Sequence, residues 1–191
     1  MFEKTCQYLK DRMDHHKTIF PISVNLSRAH FRHKNFLQPF IRLKEIYQIP
    51  DGMIELEMTE TIFSDERQRK MIKNFISEIH KNGFRCSLDD FGVGYSSLAL
   101  LKEFEVDVIK LDRLFFADIS TKRAQNVVSC FIDLANKLGM ETVAEGIETS
   151  KQLEYLCRIN CGMVQGYIYS KPLSVKNFDL WMTSFERQKI K

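Results

Sequence analysis

The alternation of short β-type runs with longer amphipathic stretches is the feature of this sequence that most limits its fold. Each run is rich in aliphatic or β-branched residues, and a helical stretch separates it from the next run. Strands joined in this way run parallel and are connected by right-handed crossovers. The sequence therefore predicts an α/β fold with a parallel sheet of six strands, at residues 22–27, 53–58, 84–90, 106–112, 140–146 and 163–170.

The stretches between the strands predict the helices. One helix follows the first strand and ends near Ile49, and the next begins at Ser64, which could cap it. Two architectures fit this pattern, a TIM barrel and a doubly wound open sheet. A barrel has eight strands and typically about 250 residues, so this chain falls two strands short. No linker or low-complexity stretch interrupts residues 1–191, which predicts one domain. The remaining predicted helices are at 96–104, 122–139, 149–160 and 175–190.

Composition excludes several functional classes. The net charge of +3 is too small to indicate binding to duplex nucleic acid. No apolar run approaches the ~20 residues of a membrane span, and the charged start is not a secretory signal. Five cysteines without a disulfide or zinc-site spacing predict reduced, mostly buried thiols in a cytoplasmic protein. The histidines lack partner ligands, so a histidine metal site is not expected.

Polar side chains gather where the predicted strands end. In a parallel α/β barrel these carboxyl ends share one face, and active sites assemble there. Strand ends are often polar because loops are exposed, but that explains only one or two carboxylates. An acid or an amide at the carboxyl end of nearly every predicted strand indicates a functional site. Its members are Asn25, Glu55, Glu57, Glu60, Asp89, Asp90, Lys110, Asp112, Glu145, Glu148 and Gln165.

The composition of this set indicates its chemistry. Four or five carboxylates that converge without cations would repel each other and raise each other's pKa values. All-oxygen ligands suit Mg²⁺ or Mn²⁺ rather than zinc. The neighbouring Asp89 and Asp90 could serve two metal ions, which is a common arrangement for phosphodiester hydrolysis. Lys110 could stabilise negative charge or hold a water molecule.

Six ordered motifs resemble those of one known family. They are VNLS at 24–27, ELEMTE at 55–60, SLDDFGVGYSSL at 87–98, VDVIKLDR at 106–113, TVAEGIET at 142–149 and MVQGYIYSKPL at 163–173. Together they resemble the EAL domains, the family of cyclic di-GMP phosphodiesterases. The resemblance implies a modified TIM barrel that opens cyclic di-GMP to linear pGpG with Mg²⁺ or Mn²⁺.

The resemblance also implies a role for each site residue. Asn25, Glu57 and Asp89 match the ligands of one metal ion, and Asp89, Asp90 and Glu145 match the surroundings of a second. Lys110 matches the lysine near the attacking water, so that Lys110, Glu145 and Asp90 are the expected catalytic residues. Gln165 and Pro172 match substrate-contacting positions, Gln165 being next to a guanine. Glu60 matches the glutamate that steadies the loop from Asp90 to Ser97, and that loop takes part in dimerisation in the family.

The family's signature, a Glu-Ala-Leu strand followed by an arginine, is absent from residues 1–191. The resemblance therefore implies an incomplete barrel, truncated at the N-terminus, in which residues 1–18 form the helix after the signature strand. One metal ligand and one substrate-contacting arginine are then missing, so weak metal binding and negligible hydrolysis are expected. The exposed sheet edges should be covered by a second chain, a swapped segment or the N-terminal helix. The alternative is a degenerate domain that binds cyclic di-GMP or a protein without hydrolysis.

Overall fold

A parallel sheet of six strands, ordered β1 to β6 along the chain, forms the centre of the computed structural model. The structure describes residues 1–32, 35–60, 62, 69–92 and 98–189. Within these residues β1 pairs only with β2 and β6 only with β5, so the sheet is not closed. The predicted incomplete, TIM-barrel-like architecture is confirmed. The strands are β1 Ile22–Leu26, β2 Ile54–Thr59, β3 Arg85–Phe91, β4 Val108–Leu111, β5 Glu141–Ala144 and β6 Met163–Val164.

Helices cover the outer face of this sheet. In α3, Ile72, Ile76 and Ile79 are buried at helical spacing, so one apolar stripe faces the strands. Every residue of β4 is buried, as is typical of a parallel strand covered on both faces. No helix of the described residues is long and apolar enough to cross a bilayer. The helices are α1 Phe2–Asp14, α2 Gln38–Ile46, α3 Arg69–Lys81, α4 Leu98–Glu103, α5 Lys122–Lys137, α6 Ser150–Arg158 and α7 Val175–Lys189.

The predicted helix boundaries hold to within a few residues. Helix α6 begins as expected, because the Thr149 side chain accepts a hydrogen bond from the Gln152 amide in a capping box. Helix α2 ends at Ile46, before the predicted end near Ile49, and the backbone of Gln48 then turns through a positive φ of 52°. The predicted cap at Ser64 lies outside the described residues.

The last strand is much shorter than predicted. The sequence predicts a strand over 163–170, whereas β6 contains only Met163–Val164. Beyond it the amide of Ile168 donates to the carbonyl of Ile147, and the amide of Tyr169 donates to that of Gly166, so the backbone turns instead of extending. Gly166 allows this turn, since a Cβ there would lie 2.1 Å from the carbonyl oxygen of Ile147. The apolar run therefore lines a turn over β5 and not a longer strand.

The prediction that the cysteines are mostly buried is wrong. All five are free thiols, but Cys130 and Cys157 are exposed on α5 and α6. Cys6 and Cys86 are buried, and burial raises the pKa of Cys6 to about 11. Helix amphipathicity explains the difference, because a residue on the outward stripe stays exposed whatever its hydrophobicity.

The first and last helices are joined by a buried ionic contact, which we call the terminal clamp; it comprises Tyr8, Arg12, Phe20, Phe178 and Asp179. Arg12 is only 4% exposed, and its Nη1 lies 2.8 Å from Asp179 Oδ1. The Tyr8 hydroxyl donates to the same oxygen at 2.7 Å. The Arg12 guanidinium also stacks on the ring of Phe20, which meets Phe178 edge to face. The clamp connects the two ends of the open sheet from outside.

Asp179→Ala is expected to lower the free energy of unfolding by about 2 kcal/mol, because a hydrogen bond to a charged group is worth about 1.5–3 kcal/mol. The substitution leaves the Arg12 guanidinium buried without its carboxylate. Urea unfolding followed by circular dichroism measures the change. Asp133→Ala, which removes an exposed carboxylate from α5, is the control and should change stability by less than about 0.5 kcal/mol. Equal losses in both variants would contradict a stabilising clamp.

Candidate functional site

Three carboxylates converge on one lysine at the carboxyl ends of the strands. Lys110 Nζ lies 2.7 Å from Glu57 Oε1, 2.7 Å from Glu145 Oε1 and 3.6 Å from Asp89 Oδ1. Glu57 and Lys110 are buried, at 5% and 7% exposure. Because three carboxylates surround one ammonium group, this lysine-carboxylate cluster keeps a net negative charge. Such a cluster attracts cations.

The strands fix these four side chains. Glu57 lies in the middle of β2 and Lys110 near the end of β4, where it pairs with Val143 of β5. The amide of Glu145 donates to the carbonyl of Leu111 at 2.9 Å, so the ladder between β4 and β5 continues to the site. Asp89 lies at an irregularity in the pairing of β3 with β4, between Leu88 and Phe91. The site therefore depends on strand positions that the core holds rigidly.

Burial and charge shift the pKa values of this cluster. Burial alone would lower the pKa of Lys110, but hydrogen bonds to Glu145 and Glu57 outweigh it and raise that pKa. Burial raises the pKa of Glu145, an effect that the neighbouring Lys110 reduces. Partial desolvation of the largely exposed Asp90 side chain, followed by the charges of Asp89 and Asp112, raises the pKa of Asp90. The lysine is therefore firmly protonated, whereas Glu145 and Asp90 lie in surroundings that disfavour their charged forms.

Asp90 has a left-handed backbone conformation. Its φ is 56°, which costs most L-residues energy but which aspartate and asparagine tolerate better than most. Its amide donates to Asp89 Oδ1 at 3.0 Å, so the two neighbouring aspartates are linked through the backbone. The side chain of Asp90 is exposed, yet it lies close enough to Asp89 and Lys110 for their charges to act on its pKa. The left-handed conformation therefore occurs beside the lysine-carboxylate cluster.

Asp90→Ala is expected to destabilise the protein by about 1 kcal/mol, because the left-handed conformation is sterically strained for alanine. Asp90→Gly and Asp90→Asn should retain the stability of the parent, since both residues accept a positive φ. Urea unfolding of the three variants measures the difference. A loss of similar size in all three would show that the carboxylate, and not the backbone conformation, is what matters for stability.

The other predicted site residues lie around the lysine-carboxylate cluster at different depths. Asn25 pairs with Glu57 in register but is exposed on the edge strand β1. Gln165 directly follows β6, and its amide donates to the carbonyl of Ala144 at 2.8 Å. Pro172 is exposed farther along the chain, and Glu60 is buried beside β2. Residues 93–97, the greater part of the loop from Asp90 to Ser97, lie outside the described residues.

Glu55 does not belong to the site, although the sequence groups it with the strand ends. It lies near the start of β2, where it accepts a hydrogen bond from the Ser23 hydroxyl at 3.0 Å. Arg85 lies beside it and pairs with Glu141 at 2.9 Å. Charged residues therefore occur at the starts of the strands as well, but there a guanidinium balances the carboxylates.

Three further residues at the site are not among the predicted site residues, although each lies in one of the six motifs. Ser87 is fully buried, faces the same side of β3 as Asp89, and its hydroxyl has no hydrogen-bond partner among the described residues. Arg113 and Tyr167 line a cavity of about 310 Å³ together with Glu145 and Gln165. Gly146 permits this arrangement, because a Cβ there would lie 2.6 Å from Cβ of Arg113. Their place in these motifs is the signal by which the sequence could have revealed them.

Within the part of the chain that the structure describes, no three acidic, histidine or cysteine side chains already form a metal-binding group. The carboxylates of Glu57 and Glu145 are turned towards Lys110 instead. The donors are nevertheless all oxygen atoms, which suits Mg²⁺ or Mn²⁺, and their excess negative charge is unbalanced. The residues present therefore fit a divalent cation chemically, provided that the carboxylates turn away from the lysine.

The fold and the site together define a class of protein. Its members are α/β barrels, here open, with an acidic cluster around a lysine at the carboxyl-terminal face. The protein-family model of the EAL domain matches residues 1–172. The chain therefore belongs to the EAL domain family, as its six motifs predict.

Two curated relatives illustrate this membership. The chain is 35% identical over 181 residues to the probable cyclic di-GMP phosphodiesterase PdeB of Escherichia coli, covering 95% of this chain and 33% of PdeB. It is 32% identical over 162 residues to the cyclic di-GMP phosphodiesterase PA2567 of Pseudomonas aeruginosa, covering 84% of this chain and 27% of that protein. The chain thus spans a third or less of the length of these relatives.

Solved structures agree with the fold. The EAL domain of Mycobacterium smegmatis DcpA superposes with a TM-score of 0.85 at 27% identity, covering 95% of this chain and 82% of that one. The PaMucR phosphodiesterase in complex with cyclic di-GMP superposes with a TM-score of 0.83 at 27% identity, covering 93% of this chain and 71% of that one. Both solved chains contain a part without a counterpart in residues 1–191.

Proposed function

We propose that residues 1–191 form one domain whose site is that of a cyclic di-GMP phosphodiesterase, which opens the cyclic dinucleotide to linear pGpG. The observation that carries this proposal is the convergence of Glu57, Asp89 and Glu145 around Lys110. This cluster lies at the carboxyl ends of the strands, where barrel enzymes bind their substrates. EAL relatives named as cyclic di-GMP phosphodiesterases support the choice of substrate.

Two Mg²⁺ or Mn²⁺ ions are the proposed cofactors. Asn25, Glu57 and Asp89 would hold one ion, and Asp89 with Asp90 and Glu145 would hold the other. Bound divalent ions supply charge that polarises a phosphoryl oxygen and lowers the pKa of a bound water molecule. The all-oxygen donor set and its negative charge support this assignment.

The remaining residues bind and orient the substrate in this proposal. Lys110 holds a proton at Nζ in a buried position, so it can stabilise negative charge on the phosphate and orient a nearby water molecule. Gln165 offers amide donors and acceptors to a guanine base, and the exposed Pro172 offers an apolar surface to the same nucleotide. Glu60 is buried next to β2, from where it can support the loop that follows Asp90.

Binding without rapid hydrolysis is a second candidate for residues 1–191 on their own. The observation that favours it is the open sheet, which leaves Asn25 exposed on β1 and Gln165 exposed next to β6. A reaction that needs its groups placed within about 1 Å loses on the order of 100-fold in rate when they are misplaced. We therefore expect the isolated chain to bind cyclic di-GMP and to hydrolyse it negligibly.

A homodimer that forms next to the loop from Asp90 to Ser97 is also part of the proposal. Leu98 directly follows that loop in the chain, and Leu114 lines a cavity together with Gly92 of the loop. Both leucines are more than half exposed, at 61% and 58%. Gly92, Leu114 and Val127 line a cavity of about 450 Å³ there. Exposed aliphatic side chains around a depression are suited to contact with a second copy. The proposed setting of the domain is the cytoplasm.

Calorimetric titration of cyclic di-GMP into the chain, with and without Mn²⁺, tests this function. Binding should require Mn²⁺ and should weaken at least tenfold in Asp89→Asn, since affinity for a divalent cation depends on ligand charge. Chromatography of the same mixtures detects pGpG. Asp133→Asn, on the outer face of α5, is the control and should bind like the parent. Equal binding by Asp89→Asn would remove Asp89 from the site and contradict the proposal.

A further inference from the structure

A serine hydroxyl is buried without a partner beside the lysine-carboxylate cluster. Ser87 of β3 is fully buried, and its Oγ has no hydrogen-bond partner among the described residues. Buried polar groups nearly always form hydrogen bonds, because an unpaired one has lost its bonds to water without compensation. The hydroxyl is therefore a candidate donor to a group that moves when the site is occupied.

The strand register places Ser87 next to Glu57. Ser87 pairs with Glu57 of β2 on one side and with Val108 of β4 on the other. Register partners in adjacent strands point to the same face of the sheet, and so does Asp89, two residues farther along β3. Because Asp89 Oδ1 lies 3.6 Å from Lys110 Nζ, this shared face is the one that carries the cluster.

Glu57 is the acceptor that the Ser87 hydroxyl can reach most readily. Adjacent strands lie about 4.8 Å apart, whereas residues two apart along one strand are separated by about 6.6 Å. The short serine side chain is therefore nearer to Glu57 than to Asp89. The side chain of Val108 offers no acceptor. Arg85, the preceding residue on the same face, carries only donors and lies against carboxylates at the starts of the strands.

Lys110, and not Ser87, holds the Glu57 carboxylate in the structure. Glu57 Oε1 lies 2.7 Å from Lys110 Nζ, and both side chains are buried, so that solvent screens this contact little. A carboxylate that ligates a divalent cation must turn its oxygen atoms away from the ammonium group. Glu57 then loses the lysine as a donor, and the neighbouring Ser87 hydroxyl is unoccupied by any other described residue.

We propose that Ser87 is a positioning residue for Glu57, whose carboxylate accepts a hydrogen bond from the Ser87 hydroxyl once a divalent cation has drawn it away from Lys110. Ligating carboxylates are commonly fixed by such hydrogen bonds, and the loss of one costs about 10- to 100-fold in metal affinity. Ser87 acts through Glu57 and touches neither the cation nor the substrate. The inference rests on the proposed function, because it concerns the same cation site.

Ser87→Ala in the full chain tests this role, because the substitution removes only the hydroxyl oxygen. Its Kd for Mn²⁺, measured by electron paramagnetic resonance of the free ion, should rise about tenfold or more. With a chelator present, its midpoint of urea unfolding should equal or exceed that of the parent, since the lost hydroxyl has no described partner there. A residue that only packs the core would not combine weaker metal binding with undiminished stability.

Cys86→Ala is the matched control. Cys86 precedes Ser87 on β3, is equally buried and points to the opposite face, so its substitution also removes one heavy atom from the same strand. This variant should unfold at a lower urea concentration, because it leaves a small cavity, and should keep the Kd of the parent for Mn²⁺. An equal rise of the Kd in both variants would assign the effect to distortion of β3 and overturn the inference.

A double-mutant cycle tests whether Ser87 acts through Glu57. Glu57→Ala removes the carboxylate that Ser87 is proposed to orient, so adding Ser87→Ala to it should raise the Kd for Mn²⁺ less than about threefold further. The same rise of about tenfold in both backgrounds would show that Ser87 acts on another group, which would overturn the inference.

Failure of this inference is distinguishable from failure of the proposed function. Ser87→Ala with the Kd of the parent, while Asp89→Asn binds Mn²⁺ about tenfold more weakly, would overturn the inference and retain the cation site. A parent chain that binds no Mn²⁺ would overturn both.

Discussion

Lys110→Met is expected to lower the free energy of unfolding of the metal-free chain by about 3 kcal/mol or more, because removing one partner of a buried ion pair costs about 3–5 kcal/mol. The substitution leaves the carboxylates of Glu57, Asp89 and Glu145 facing one another without a cation. Mn²⁺ should then return most of the lost stability, since a divalent cation can take the position of the ammonium group. Urea unfolding with Mn²⁺ or with a chelator measures both effects.

The size of the metal effect distinguishes the variant from the parent. A ligand present at about 100 times its Kd stabilises a protein by about 2.7 kcal/mol. The increase in the free energy of unfolding on adding Mn²⁺ should be larger in Lys110→Met than in the parent, where Lys110 competes for the same carboxylates. Lys137→Met, which removes an exposed lysine of α5, is the control and should change neither stability nor the response to Mn²⁺. A response to Mn²⁺ that is the same in all three proteins would rule out metal binding at this cluster.

Completing the sheet is expected to raise the rate of cyclic di-GMP hydrolysis by about 100-fold or more. A displacement of the reacting groups by about 1 Å can lower a rate by that factor. In this experiment two strands would be joined ahead of Met1, next to the edge strand β1 that pairs only with β2 among the described residues. They would cover the exposed face of β1 and fix Asn25 next to Glu57. Formation of pGpG with Mn²⁺ present, followed by chromatography, measures the rate.

Substitutions in the completed protein show whether the gain comes from this site. Asp90→Asn and Lys110→Ala should each abolish the new activity. Asp90→Asn should do so without loss of stability, because asparagine tolerates the left-handed conformation at this position. Rapid turnover by residues 1–191 alone would contradict the prediction, since the added strands would then be dispensable for the reaction.

Much of the fold could be predicted because its elements are local. The β-type runs and the glycines between them predict five strands to within about two residues at either end, and the parallel order follows from the helices that join them. The position of Lys110 and the carboxylates at one face also follows, since the carboxyl ends of parallel strands meet there. Strand periodicity and topology therefore predict where the site lies.

The contacts within the site could not be predicted, because they depend on side-chain distances. The sequence does not reveal that Lys110 pairs with Glu57 and Glu145, or that Glu55 belongs to the opposite end of its strand. Residues 165–170 resemble a strand in composition, but close packing of Gly166 on Ile147 turns the chain. Tertiary packing decides all of these cases, and it overrides local propensity.

The terminal clamp has a consequence for the order in which the protein folds. Every strand pairs with its neighbour in the chain, so the sheet can grow from local contacts, which form early. The contacts of Tyr8 and Arg12 with Asp179, by contrast, span 171 and 167 residues of the chain. Loop-closure entropy makes such a contact late to form. We therefore expect helix α7 to dock last and to detach first. In native-state exchange its amides should then open with a lower free energy than those of β2 to β4.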